Sequence, residues 1–174
     1  MGDAGLQSAL LALDLAIQTE RDGREFYLRA AERSADEGGK VLFFSLADDE
    51  LEHLRLLESQ RGALATDGKW QPPTKADEQT LPEEGEGVPL FSRERLAENV
   101  SAYTSDLSAL RLAFLIEKDA VAFYTRAAAE TKDPLGREVY ESLVEMEKEH
   151  QRILEEEYNA LAKEFWGSMG FEPF

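Results

Sequence analysis

SLADDELEHLRLLE (residues 45–58) and SLVEMEKEHQRILE (residues 142–155) are two versions of one segment, each carrying Glu-x-x-His. A shift of 97 positions superposes them without a gap, and the same shift superposes LAIQTERDGREFYLRAAER (residues 15–33) on LAFLIEKDAVAFYTRAAAE (residues 112–130). Self-similarity at one fixed offset means that one supersecondary unit occurs twice. The shift pairs Glu20 with Glu117, Tyr27 with Tyr124, Glu50 with Glu147 and His53 with His150.

Apolar residues give each repeat its form. Leu6, Ala9, Leu13, Ala16, Ile17, Phe26, Tyr27 and Ala30 recur at helical spacing, which predicts a first helix over about 5–34, stopped by the breaker Gly38-Gly39. Leu42, Phe43, Leu46, Leu54 and Leu57 continue the period to roughly Gly62, completing hairpin one over about 5–64. From about 65 to 104 the chain turns to Gly, Pro and charge, the composition of a long connection with one possible short helix in SRERLAENV. Hairpin two is expected over about 105–163, with Asp133 as N-cap and Pro134 as the first residue of its second helix. The last residues, 164–174, read as an aromatic tail. The expectation is one all-α domain over 1–174, a four-helix bundle of two repeated hairpins joined by a crossover along its length.

Glu-x-x-His sets both side chains on one helix face. In an antiparallel hairpin, residues equidistant from the turn share a level. Glu20 and the pair Glu50/His53 are symmetric about position 36, and Glu117 and the pair Glu147/His150 about position 133. At about 1.5 Å per residue the six groups meet roughly 20 Å from either turn, in mid-bundle. In a chain this rich in Glu, one Glu-x-x-His is usually a solvated pair. Here the only two histidines both carry it, at one repeat offset, level with another Glu on the partner helix.

Composition narrows the chemistry. A formal charge of -17 repels phosphate backbones and anionic lipid surfaces, so neither nucleic acid nor a membrane is an expected partner. The apolar N-terminal stretch is interrupted by Asp14 and lacks a basic leader, so a cytoplasmic location is expected. The absence of cysteine excludes disulfides, thiolate zinc sites and cysteine-ligated iron within these residues, so redox work here needs electrons from another molecule. Four carboxylates and two imidazoles form a hard to borderline set that suits two iron ions, with manganese or a mixed pair as alternatives. Four Glu balance two divalent ions, and an oxo bridge restores neutrality after oxidation.

The order Glu, Glu-x-x-His, Glu, Glu-x-x-His on four helices resembles the ferritin-like di-iron carboxylate proteins, with Glu20, Glu50, His53, Glu117, Glu147 and His150 as the metal ligands. Tyr27 and Tyr124 look like the tyrosines that hydrogen-bond iron-ligating carboxylates in rubrerythrins; the alternative is that they pack in the core with their hydroxyls bonded elsewhere. The resemblance implies a peroxidase of rubrerythrin type, active in oxidative stress and re-reduced by rubredoxin or a reductase. Two departures qualify it. The chain lacks a rubredoxin domain, and Ala120 stands where rubrerythrins carry an extra Glu, with Gly23 at the repeat-related place. Small residues there either leave room for peroxide or dioxygen or serve close helix packing.

Other readings share the ligand pattern. A ferroxidase or iron-handling protein of bacterioferritin type would need a haem-ligating methionine where Leu51 stands, and the long crossover does not resemble a cage subunit. A di-iron oxygenase such as the quinone hydroxylases would need a membrane substrate, which the acidic charge disfavours. A metal-stabilised sensor or interaction module is the non-enzymatic alternative. Because each bundle would hold a complete site, the expected assembly is a small oligomer, a homodimer.

Overall fold

A computed structural model describes residues 3–72 and 100–168. Four helices account for nearly all of them: α1 (Asp3–Arg33), α2 (Glu37–Asp67), α3 (Val100–Glu130) and α4 (Pro134–Ser168). Helices α1 and α2 pack as one antiparallel hairpin and α3 and α4 as the other, with α1 also touching α3. The fold is the all-α bundle of two hairpins that the repeat predicts.

One turn differs in detail from the sequence expectation. Hairpin one reverses over Ser34, Ala35 and Asp36, before Gly38-Gly39, because the Asp36 side chain accepts from the Gly39 N–H at 3.1 Å and starts α2 there. The two glycines thus lie in the first turn of α2 and do not break the chain. The second turn matches expectation, since Asp133 Oδ1 accepts from the Leu135 N–H at 3.0 Å and Pro134 opens α4.

Three helix ends also move. Helix α2 passes Gly62 and stops at Asp67, where Gly68 adopts φ 65° and its N–H bonds the Leu64 carbonyl. Helix α3 starts at Val100 instead of about 105, and α4 continues through Phe165 and Trp166 to Ser168 instead of ending near Lys163. Most of the expected crossover, residues 73–99, and the end of the expected tail, 169–174, lie outside the described residues.

After Gly68 the chain folds back onto the bundle. The Gln60 side-chain amide donates to the Gln71 carbonyl and accepts from the Gln71 N–H, both at 3.0 Å. Trp70 is thereby inserted beside Tyr140, the rings meeting edge to face with centroids 5.7 Å apart. It closes one end of the core over Gly136.

Two apolar clusters fill the interior. One gathers Leu13 and Ile17 from α1, Leu57 and Leu64 from α2, Tyr124 from α3 and Leu143 from α4. The other gathers Tyr27, Phe43, Leu46, Leu110 and Leu154 from the opposite halves of the same helices. On every helix the Glu and His positions fall between the two sets, so a polar layer is held between two apolar plugs.

Candidate metal centre

All six sequence-predicted ligands are buried, from 0 % exposed at Glu147 to 4 % at His150, and the structure brings them together in this layer. The helical register explains the convergence. Glu20 on α1 and Glu117 on α3 each face inward once, while α2 and α4 present Glu and His one turn apart.

The six side chains form two overlapping sets of four. Glu20, Glu50, His53 and Glu147 bring one ligand atom each within 4.8 Å of one another, and so do Glu50, Glu117, Glu147 and His150. Glu50 and Glu147 belong to both sets. His53 Nδ1 lies 3.1 Å from Glu20 Oε2, 3.1 Å from Glu147 Oε1 and 3.4 Å from Glu50 Oε2. His150 Nδ1 lies 3.2 Å from Glu147 Oε2, 3.6 Å from Glu117 Oε1 and 3.8 Å from Glu50 Oε1. The two imidazoles stand nearly parallel, with centroids 5.4 Å apart.

Both tyrosines reach the carboxylates, each across the bundle. Tyr27 donates to Glu117 Oε1 and Tyr124 donates to Glu20 Oε1. Burial and the neighbouring carboxylate charges push both phenols well above their ordinary range, so they remain donors. Among the described residues both hydroxyls thus bond carboxylates of the layer and not other core groups.

Protons compensate the charge of the layer in the absence of metal. Burial and the charge of Glu147 push Glu50 well up, and the same causes raise Glu117 to about 7. Burial opposes charge on both imidazoles, yet for His53 the Glu147 carboxylate outweighs it, and for His150 Asp49 and Glu117 do, so both are held well above the usual range. Glu147 is held well below its ordinary value despite burial, because His53 and His150 flank it. Ionised groups in an apolar interior cost several kcal/mol each unless paired, and here they pair with each other.

The residues present fit a metal. Both Glu147 oxygens and His150 Nδ1 are buried without a hydrogen-bond partner, although the imidazole and carboxylate atoms are close. Buried atoms that meet charged neighbours without a hydrogen bond keep lone pairs free for a third participant. All the donors are carboxylate oxygen or imidazole nitrogen, the set expected for iron or manganese.

Two residues beside the layer bear on the chemistry. At Gly23 an added Cβ would sit 3.7 Å from the Glu50 carboxyl carbon, ordinary contact, so this buried position leaves a methyl-sized space beside a shared ligand. Asp49, which the sequence reading passed over, places Oδ2 at 3.5 Å from His150 Nε2. Its signal in the sequence is a break in the repeat, since Met146 occupies the matching place.

An all-α bundle of two hairpins around a buried carboxylate and imidazole layer defines the class of ferritin-like proteins with a possible metal site. The chain belongs to that family: the family model described as "Ferritin-like domain" matches residues 8–159. No curated protein and no solved structure matches the chain. Among the described residues no helix is long and apolar enough to cross a membrane.

Proposed function

We propose that the chain is a non-haem di-iron oxidoreductase acting as a rubrerythrin-like peroxidase, reducing hydrogen peroxide to water with electrons from an external donor. The observation that carries this reading is the sharing of Glu50 and Glu147 between two buried sets of four ligands, which supports a bridged pair of ions. Glu20 and His53 complete one position, and Glu117 and His150 the other. The peroxide preference draws on the resemblance to rubrerythrins, and the Tyr27 and Tyr124 hydrogen bonds to ligand carboxylates support it.

When bound in the ferrous state, the pair of ions supplies two electrons which, with two protons, convert one hydrogen peroxide into two waters. The chain's own groups prepare the site for that chemistry. Tyr27 and Tyr124 each bind one oxygen of Glu117 and Glu20 and so orient these carboxylates; Glu20 turns its other oxygen, Oε2, to His53, whereas Glu117 shows Oε1 to both Tyr27 and His150. The apolar clusters above and below exclude bulk water, which strengthens every polar interaction between them. The methyl-sized space at Gly23 leaves little room for a large substrate beside Glu50. No cysteine among the 174 residues can carry a thiolate redox centre, which supports a separate donor such as rubredoxin or a reductase.

Aerobic purification with metal analysis, followed by stopped-flow reaction of the reduced protein with peroxide and with dioxygen, tests the reading. Iron uptake should stop near two ions per chain in a homodimer, and peroxide should oxidise the protein faster than dioxygen. A closed cage that mineralises many irons per chain would favour a bacterioferritin-type storage role. Faster oxidation by dioxygen would favour an oxidase or oxygenase.

A further inference from the structure

The two hairpins superpose ligand for ligand, yet what stands behind the two imidazoles differs. His150 turns Nδ1 toward the carboxylates and leaves Nε2 on its outer edge, 3.5 Å from Asp49 Oδ2. Asp49 lies on α2, on the opposite hairpin and one residue before the shared ligand Glu50, with its side chain 26 % exposed. The matching place on α4, one residue before Glu147, holds Met146, whose thioether accepts hydrogen bonds only weakly. Among the described residues, every carboxylate within ion-pair distance of His53 approaches Nδ1, and none approaches Nε2.

An imidazole that gives Nε2–H to a carboxylate is fixed in the tautomer whose lone pair is on Nδ1, and the negative partner makes that lone pair more basic. At 3.5 Å the Asp49 contact is long for a hydrogen bond, and a shift of a few tenths of an ångström would make it one.

We propose that Asp49 is a positioning residue for His150, and that the Asp49/Met146 difference makes the two metal positions unequal, the Glu117–His150 position holding its ion more tightly than the Glu20–His53 position. This rests on the six-ligand reading above. It adds an order of filling, and so a means by which one ion is exchanged or replaced by a different metal while the other stays.

Anaerobic titration of the metal-free full chain with Co2+, followed by its visible absorption, tests this without turnover. The wild type should bind in two resolved steps. Asp49→Ala should weaken the tighter step by about 10–100-fold and leave the weaker one in place, the usual effect of removing a partner behind a ligand. Asp49→Asn, which keeps an acceptor without the charge, should recover part of the loss, and Met146→Asp should tighten the weaker step. The melting temperature of each metal-free variant shows whether it folds; if Asp49→Ala does not, the other two decide. Equal steps in the wild type, an Asp49→Ala titration identical to wild type, or a loss shared by both steps would overturn the inference. Two ions bound with no response to Asp49 would sink it alone, whereas no uptake even by the wild type would remove the six-ligand reading as well.

Discussion

Tyr27 donates its hydroxyl to Glu117 on the opposite hairpin, and not to Glu20, the carboxylate two turns before it on its own helix. Tyr124 repeats the relationship by donating to Glu20. The two repeats are therefore joined at the ligand layer by a reciprocal pair of buried hydrogen bonds. Each hairpin supplies the donor that orients the other hairpin's unshared carboxylate.

This crossing predicts selective coupling. In double-mutant cycles on the metal-free protein, Tyr27→Phe should couple to Glu117→Gln by about 1 kcal/mol or more and to Glu20→Gln by no more than a few tenths. Urea denaturation of the four variants in each cycle measures both terms. Coupling to Glu20 instead would mean that the tyrosines serve their own hairpins.

Shared and unshared ligands should differ in what their loss removes. Glu50→Ala or Glu147→Ala should lower iron content toward zero, whereas Glu20→Ala, His53→Ala, Glu117→Ala or His150→Ala should leave roughly one ion of two. Glu52→Ala should leave both, because that side chain pairs with Arg55 outside the layer. Metal analysis after identical loading distinguishes these outcomes, and one uniform loss across all variants would contradict the overlap of the two sets.

Metal should also hold the fold together. A ligand bound only by the folded state adds about 2.7 kcal/mol when its free concentration is 100 times its dissociation constant. Chelation should thus lower the melting temperature measured by circular dichroism. A chain equally stable with and without metal would indicate a bundle that does not need the site.

Two helical glycines should respond oppositely to a methyl group. In Gly136→Ala the new Cβ would clash with Trp70 Cε2, part of a buried indole that has little room to move, so a loss of about 1–3 kcal/mol is expected. Gly23→Ala meets only ordinary contacts near Glu50 and should gain up to about 1 kcal/mol from helix propensity. Thermal melts of both variants check the contrast, and a slower peroxide reaction in Gly23→Ala would show that the vacant space is used.

Asp106 should make stability depend on pH away from the metal centre. Burial, opposed in part by the Ser34 hydroxyl and reinforced by the charge of Asp36, raises its carboxyl from an ordinary 3.8 to about 6. A raised carboxyl favours the protonated folded state, so its contribution is present below about 4 and is lost as pH rises toward 6. Asp106→Asn should accordingly stabilise the protein more at pH 7.5 than at pH 4.5, relative to wild type at each pH. Urea midpoints at the two values test this, and an equal shift at both would show that the charge is not what matters.

The sequence alone determined the helices, their pairing into hairpins and the six residues that meet in mid-bundle. Period fixes the face of a helix, and distance from a turn fixes height, so Glu20, Glu50 and His53 could be placed on one level by counting. The glycines 38 and 39 misled because N-capping by Asp36 tolerates them inside a first turn. The α2 end at 67 and the α4 end at 168 escaped because Gly62 and Gly167 each lie within a segment that continues as helix. Only the tertiary structure decided that Glu50 and Glu147 are the shared carboxylates, that each tyrosine serves the opposite hairpin and that Asp49 stands behind His150 while Met146 takes the equivalent place. These relations depend on how the two hairpins are rotated against each other and on which way each side chain extends across the gap, and spacing along one chain carries no information about either.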